Sequence, residues 1–207
     1  TGSWAMIDNK RTPANPRNKE LFANLTDADN TFTAVNFLTN GFQIINTSNT
    51  YNANGGTFIY IAFAADQSTA PSLADSFANK LYTGTGLAQT ISSAGFKPSF
   101  LWNKQTDGTF SNIIHDTLNQ PNLLITNSTG ALITNGSNTA TFTDYGFSLE
   151  AGANHTSINN AGSNYVYWAW KANAMPTINT DGSIQSVVSA NQAAGISIVK
   201  YTGTGSN

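Results

Sequence analysis

The residues able to do chemistry in this chain are few. Two glutamates, Glu20 and Glu150, and two histidines, His115 and His155, are present among 207 residues, and cysteine is absent. A glycosidase places two carboxylates about 5–9.5 Å apart across the scissile bond. Glu20 and Glu150 lie in different halves of the chain, and no strand carries the acidic–apolar–acidic alternation that would put two carboxylates on one face. A histidine-based triad needs a nucleophile on a tight turn such as Gly-x-Ser-x-Gly, and neither histidine has one nearby. Asp27-Ala28-Asp29-Asn30 carries oxygen donors that suit a hard cation, but lacks the glycine and distal glutamate of an EF-hand loop. It reads as a solvated turn. Two isolated histidines without cysteine do not make a zinc site. The inventory therefore predicts no enzyme activity, no catalytic residue, no metal site and no cofactor.

Composition narrows the partners. Charged residues make up 10% of the chain, against roughly 25% in an average soluble domain. Asn and Thr contribute 27 residues each, so amides and hydroxyls do much of the solvation. The net charge of -2 offers no basic patch for nucleic acid. No apolar run approaches 18 residues, so no membrane insertion is expected, and no secretory leader at Thr1. Asn-x-Ser/Thr triplets such as Asn24-Leu25-Thr26 and Asn127-Ser128-Thr129 are frequent enough to arise from composition alone.

The main positioning element is Gly162–Ala172. Tyr165, Tyr167, Ala169 and Lys171 alternate with Val166, Trp168 and Trp170. A period of two in aromatic and β-branched residues predicts a buried strand, with Trp168 and Trp170 in a core rather than on a sugar-stacking surface. Trp4 and Trp102 are candidates for an interface between units. Gly56–Ala65 echoes the pattern, with Phe58, Tyr60 and Ala62 matching Tyr165, Tyr167 and Ala169.

Other strands are predicted within Trp4–Asp8, Thr33–Phe37 and Gly41–Ile45, the last two joined at Asn40-Gly41, a hairpin signal, and Leu21–Leu25 leads into a polar turn at Thr26–Asn30. Further strands are predicted within Lys80–Gly86, Lys97–Lys104, Ser111–Leu118, Asn122–Thr126, Ala140–Glu150, Gln185–Val188 and Gly195–Tyr201. Thr12–Lys19 and Thr177–Gly182 read as loops, and Ala74–Lys80 as one helical turn. No window keeps a 3.6-residue apolar period, so almost no helix is expected.

The echo belongs to a repeat. Asp8 matches Asp116; Phe37, Gly41 and Phe42 match Phe142, Gly146 and Phe147; Tyr60 matches Tyr167. Tyr82-Thr-Gly-Thr-Gly86 recurs as Tyr201-Thr-Gly-Thr-Gly205. Two aspartates at equivalent places fit a shared turn or loop hydrogen bond better than catalysis. Units above 100 residues exceed solenoid repeats and fit tandem β-sandwich modules.

In order along the chain, Trp4–Arg11, Phe37–Phe42, Phe58–Ala64, Gly95–Lys104, Tyr165–Lys171 and Val188–Gly195 resemble a domain of marine bacteriophage virion proteins of tail-fibre or appendage type. The resemblance covers most of the chain. It implies a structural or adhesive virion protein, and a looser similarity to lectin-like domains implies a concanavalin-like sandwich. One departure is Leu118, where similar sequences carry arginine after the aspartate.

The expected fold is all-β: tandem antiparallel jelly-roll, concanavalin-like modules at 1–78 and 79–185, followed by a strand segment at 186–207 that resembles the start of another unit. The expected role is a non-enzymatic structural or adhesive subunit of a phage appendage, located in the virion. Its expected partners are other virion proteins, further copies of itself and a host-surface glycan. The alternative is a carbohydrate-binding, lectin-like module of a secreted protein.

Overall fold

A computed structural model describes residues 2–63, 76–134, 138–151, 156–172 and 175–205. Along the chain run β1 (Ala5–Met6), β2 (Arg17–Phe22), β3 (Asn30–Leu38), β4 (Gly41–Ile44), α1 (Asn49–Asn52), β5 (Phe77–Thr83), β6 (Gln89–Ile91), β7 (Phe100–Gln105) and β8 (Ile113–Asp116). They are followed by β9 (Leu124–Ile125), β10 (Ala140–Thr143), β11 (Gly146–Leu149), α2 (Thr156–Asn159), β12 (Asn164–Trp170), β13 (Thr177–Asn179), β14 (Ser186–Asn191) and β15 (Ile196–Tyr201). Strand accounts for 41% and helix for 4%, so the predicted scarcity of helix holds.

The sheets have the orders β1-β2-β3-β4, β10-β11-β6, β5-β12-β7-β8-β9 and β13-β14-β15. Every strand pair in them is antiparallel.

The alternation read from the sequence builds the middle of the five-stranded sheet. β12 lies between β5 and β7, pairing Trp168 with Asn79 on one side and Trp102 on the other. Tyr167 and Ala169 drop into one core with Leu101 of β7, Ile113 of β8 and the hairpin residues Phe142, Phe147 and Leu149. Val166, Trp168 and Trp170 drop into a second core with Leu21, Met6, Phe100 and Trp102. β12, at the centre of the sheet, is thus dry on both faces. The β10-β11-β6 sheet covers one face, and residues of β1 and β2 cover part of the other. Trp102 sits at this second contact, as expected of an interface residue, whereas Trp4 is exposed.

The repeat is visible in backbone detail. Phe37 pairs with Phe42 and Leu38 with Gly41; one unit later Phe142 pairs with Phe147 and Thr143 with Gly146. Both hairpins close with two residues between the paired positions. Each is followed by a four-residue helix, α1 or α2, and then by a glycine in the left-handed region, Gly55 at φ 71° or Gly162 at φ 77°. β1 pairs with β2 as β8 pairs with β9.

The units then diverge. Thr57–Phe63, expected to form the counterpart of β12, belongs to no ladder. Its pattern suits a central strand, but no described strand lies on either side to accept its hydrogen bonds; Ala64 and Ala65 lie outside the described residues. Four other expectations are corrected. Arg17–Lys19 is strand rather than loop, because the chain extends directly after Pro16 and pairs with β3. Thr177–Asn179 is strand, paired with Val188–Ser186. Phe77–Lys80 is extended, since antiparallel pairing sets Phe77 and Ala78 beside Trp170 and Ala169 on alternate faces. Ala140–Glu150 is two strands split at Asp144-Tyr145. β6 went unpredicted, because three residues carry too little periodicity to read.

Trp168 packs edge-to-face on Trp102, and Trp170 packs against Phe77 and Phe100. Among the described residues the buried indole N–H of Trp170 has no hydrogen-bond partner. Trp168→Ala is therefore expected to cost about 3–5 kcal/mol in urea unfolding. Trp170→Phe, which removes the unpartnered donor while keeping a ring, is expected to cost much less.

Candidate functional site

The N-terminal sheet is fixed to the central sheet by buried polar chemistry. Asp8 lies two residues beyond β1, and its Oδ1 accepts the amides of Lys10 and Arg11 at 2.8 and 2.9 Å. This turn aims Arg11 inward. Nε donates to Asp8 Oδ2 at 2.6 Å, Nη1 to Asp29 Oδ1 at 2.7 Å and Nη2 to the Met6 carbonyl at 2.8 Å. The Arg11 and Asp8 side chains are almost fully buried, with the guanidinium 6.0 Å from the Trp168 ring centroid. Burial raises the Asp29 carboxyl from its ordinary value, against the pull of Arg11. Asp29 is thus an ion-pair partner rather than part of a solvated turn, while Asp27 is exposed.

A second cation enters from the central sheet. Lys104 has the same strand parity as Trp102 and is fully buried. Its ammonium donates to the carbonyls of Thr26, Gln105 and Gly108 at 3.1, 2.8 and 3.2 Å. Desolvation lowers its pKa from 10.5 to about 8, opposed by Asp29 and Asp27. Asn112 Nδ2 donates to the carbonyls of Phe22 and Leu25, and Thr126 Oγ1 to that of Ala23. Segment 22–29 is therefore held by hydrogen bonds from the second unit along most of its length.

Beside this clamp lies a cleft of about 380 Å³, lined by Arg11, Asp29, Thr83, Thr106, Asn164 and Tyr165 among others. Thr83 and Thr106 hydroxyls donate to the Oδ1 and carbonyl of Asn164, each at 3.2 Å. The Tyr165 hydroxyl donates to the Thr156 carbonyl and accepts the Asn160 amide, so its polar end is used by the scaffold. Asn164 Nδ2 donates to Asp107 Oδ2 at 3.0 Å and the Arg11 guanidinium is buried and fully paired, so what remains is the acceptor capacity of the Thr83 and Thr106 hydroxyls. Among the residues lining it there is no paired nucleophile and base.

The catalytic candidates lie apart. Glu20 is buried in β2, where it accepts Asn30 Nδ2 at 2.7 Å and the Tyr51 hydroxyl. Burial, then Glu20, raises the Tyr51 pKa. Glu150 is exposed. His115 is buried on the hairpin side of the sheet, and desolvation lowers its pKa to about 4, leaving the imidazole neutral near pH 7. Its Nε2 lies 3.0 Å from the Asn138 carbonyl and 3.2 Å from the Ala140 amide nitrogen. His155 lies outside the described residues. Among the described residues no cluster of three or more His, Cys, Asp or Glu side chains could hold a metal.

Asp116 does the turn work expected of it. Its Oδ1 accepts the Leu118 amide at 2.8 Å, and both carboxylate oxygens accept Asn119 Nδ2. The side chain in the place of Arg11 is therefore Asn119 rather than Leu118, and it reproduces the bond to the aspartate without the charge. Arg11 and Lys104 were not singled out by sequence reasoning. The available signal was a lysine on the same strand parity as Trp102.

The chain belongs to a family described as a domain of unknown function (DUF7483), whose model matches residues 1–67 and 72–207. No curated protein and no solved structure matches it.

Lys104 sets a pH dependence whose sign follows from linkage. Between about pH 8 and 10.5 the unfolded chain holds a proton there that the folded chain has released, so folding becomes more favourable as pH rises. Relative to Lys104→Met, the intact chain should gain on the order of 2 kcal/mol across that window, read from paired denaturant curves. Tyrosine ionisation, common to both proteins, cancels in the difference.

Proposed function

We propose that this chain is a non-enzymatic structural or adhesive subunit of a phage virion appendage, built from jelly-roll, concanavalin-like modules. The sequence motifs resembling marine phage virion proteins support the reading. The observation that carries it is the segment Thr57–Phe63: Tyr60 packs on Phe42 and Phe63 on Phe77 and Trp170, but Ile59 is 95% and Ile61 80% exposed. Contiguous exposed apolar surface marks an interaction site in a soluble protein. An assembly subunit has use for such a segment; an isolated module does not.

A second reading rests on the cleft. The Thr83 and Thr106 hydroxyls that line it keep lone pairs able to accept from a sugar, and a carbohydrate-binding, lectin-like module is the alternative. In an adhesive subunit the same cleft would receive a host-surface glycan.

Mass spectrometry of purified particles and glycan arrays on the isolated protein separate the two. The appendage reading expects the chain in virions at structural stoichiometry. Its absence from particles, together with selective glycan binding lost in Asn164→Ala, would replace that reading with the lectin one.

A further inference from the structure

The two ends of the repeat contain complementary halves of one strand pair. In the second unit β12 is flanked by β5, with Tyr165 opposite Tyr82, Tyr167 opposite Lys80 and Trp170 opposite Phe77. Thr57–Phe63 repeats β12: Phe58, Tyr60 and Ala62 match Tyr165, Tyr167 and Ala169, while Ile59, Ile61 and Phe63 match Val166, Trp168 and Trp170. Both of its faces are apolar, the pattern of a strand covered on two sides. β15 repeats β5: Ile196 stands for Phe77 and Tyr201 for Tyr82, followed in each by Thr-Gly-Thr-Gly. The final glycines of the two copies, Gly86 and Gly205, both sit in the left-handed region, at φ 69° and 73°. β15 pairs with β14 along one edge, and its other edge meets no described strand.

The two hairpins also differ in what lies beside them. At Gly146 an added Cβ would lie 1.9 Å from the Ile91 carbonyl oxygen, because β6 presses against that position. Its counterpart Gly41 has nothing within 4 Å of the same point. Among the described residues no strand stands beside Gly41 of β4 as β6 stands beside Gly146.

We propose that Thr57–Phe63 of one copy of this chain pairs antiparallel with β15 of a second copy, in the register that β12 keeps with β5. That register sets Phe58 opposite Tyr201, Tyr60 opposite Val199, Ile61 opposite Ile198 and Phe63 opposite Ile196. Apolar residues then meet apolar residues at each of these positions, and Ile59 meets the aliphatic stem of Lys200. Main-chain hydrogen bonds would supply the affinity and the side-chain pattern the register, as in other strand additions. The exposed Ile59 and Ile61 and the free edge of β15 are the surfaces that such pairing removes from water. The inference rests on the internal repeat and does not depend on the virion reading.

Because the chain has no cysteine, the test is disulfide trapping with single-cysteine variants of the full chain. Tyr60→Cys mixed with Val199→Cys, and Ile61→Cys mixed with Ile198→Cys, sample both spacings of an antiparallel ladder, so at least one pair suits a disulfide. Tyr60→Cys mixed with Ser197→Cys is the out-of-register control. The expected result is a mixed disulfide dimer, with at least one in-register mixture several-fold above the control. Without cysteines, the solution mass should rise with concentration from 22.0 kDa. Ile61→Asp, at an exposed site, should keep native circular dichroism and weaken association by about tenfold. Three results would overturn the proposal: a mass fixed at the monomer value, cross-linking indifferent to register, or a Tyr60→Cys/Val199→Cys chain that closes only within itself.

Discussion

The structure depends on β12 being apolar on both faces. A strand that alternates Tyr165, Tyr167 and Ala169 with Val166, Trp168 and Trp170 has no side to give to water, so the sheet it centres needs a layer above and a layer below. The β10–β11 hairpin supplies one. The other is assembled from Met6 and Leu21 of the N-terminal sheet, more than 140 residues away in sequence. Burying that contact also buries Arg11, Asp8, Asp29 and Lys104, whose charges stay only because each is paired or surrounded by carbonyls. Packing of the tryptophans and placement of the ions are two consequences of one contact.

The same constraint explains why near-identical sequence patterns end in different structures. Phe37–Phe42 and Phe142–Phe147 fold alike, because a two-residue hairpin carries its own partner. Gly56–Phe63 and the region of β12 share pattern and preceding turn, yet only the second becomes a strand. A hairpin is a local object; a central strand exists only where two other strands accept its hydrogen bonds. β5 and β7 do this for β12, and no described strand does it for Thr57–Phe63.

Legibility followed the same division. Strand class, the hairpins, the burial of Trp168 and Trp170 and the turn role of Asp8 and Asp116 could be read from short-range pattern. β6, β13 and the extended Arg17–Lys19 could not, since their pairing is set by partners rather than by their own residues. The buried clamp was hidden for a related reason. Arg11 and Lys104 look like ordinary surface charges until the fold brings the carbonyls of Met6, Thr26 and Gly108 to them. Asp29 carried a weak signal within a cluster of oxygen donors, and the cation it meets in the fold is Arg11.

Native-state hydrogen exchange, read residue by residue on dilute protein, tests this account most directly. Amides of β12 and of β2 should open together at the global unfolding free energy, because one dry contact holds both, while amides of Thr57–Phe63 should exchange nearly unprotected. Protection of Thr57–Phe63 equal to that of β12, or a β2 that opens freely while β12 stays closed, would contradict it.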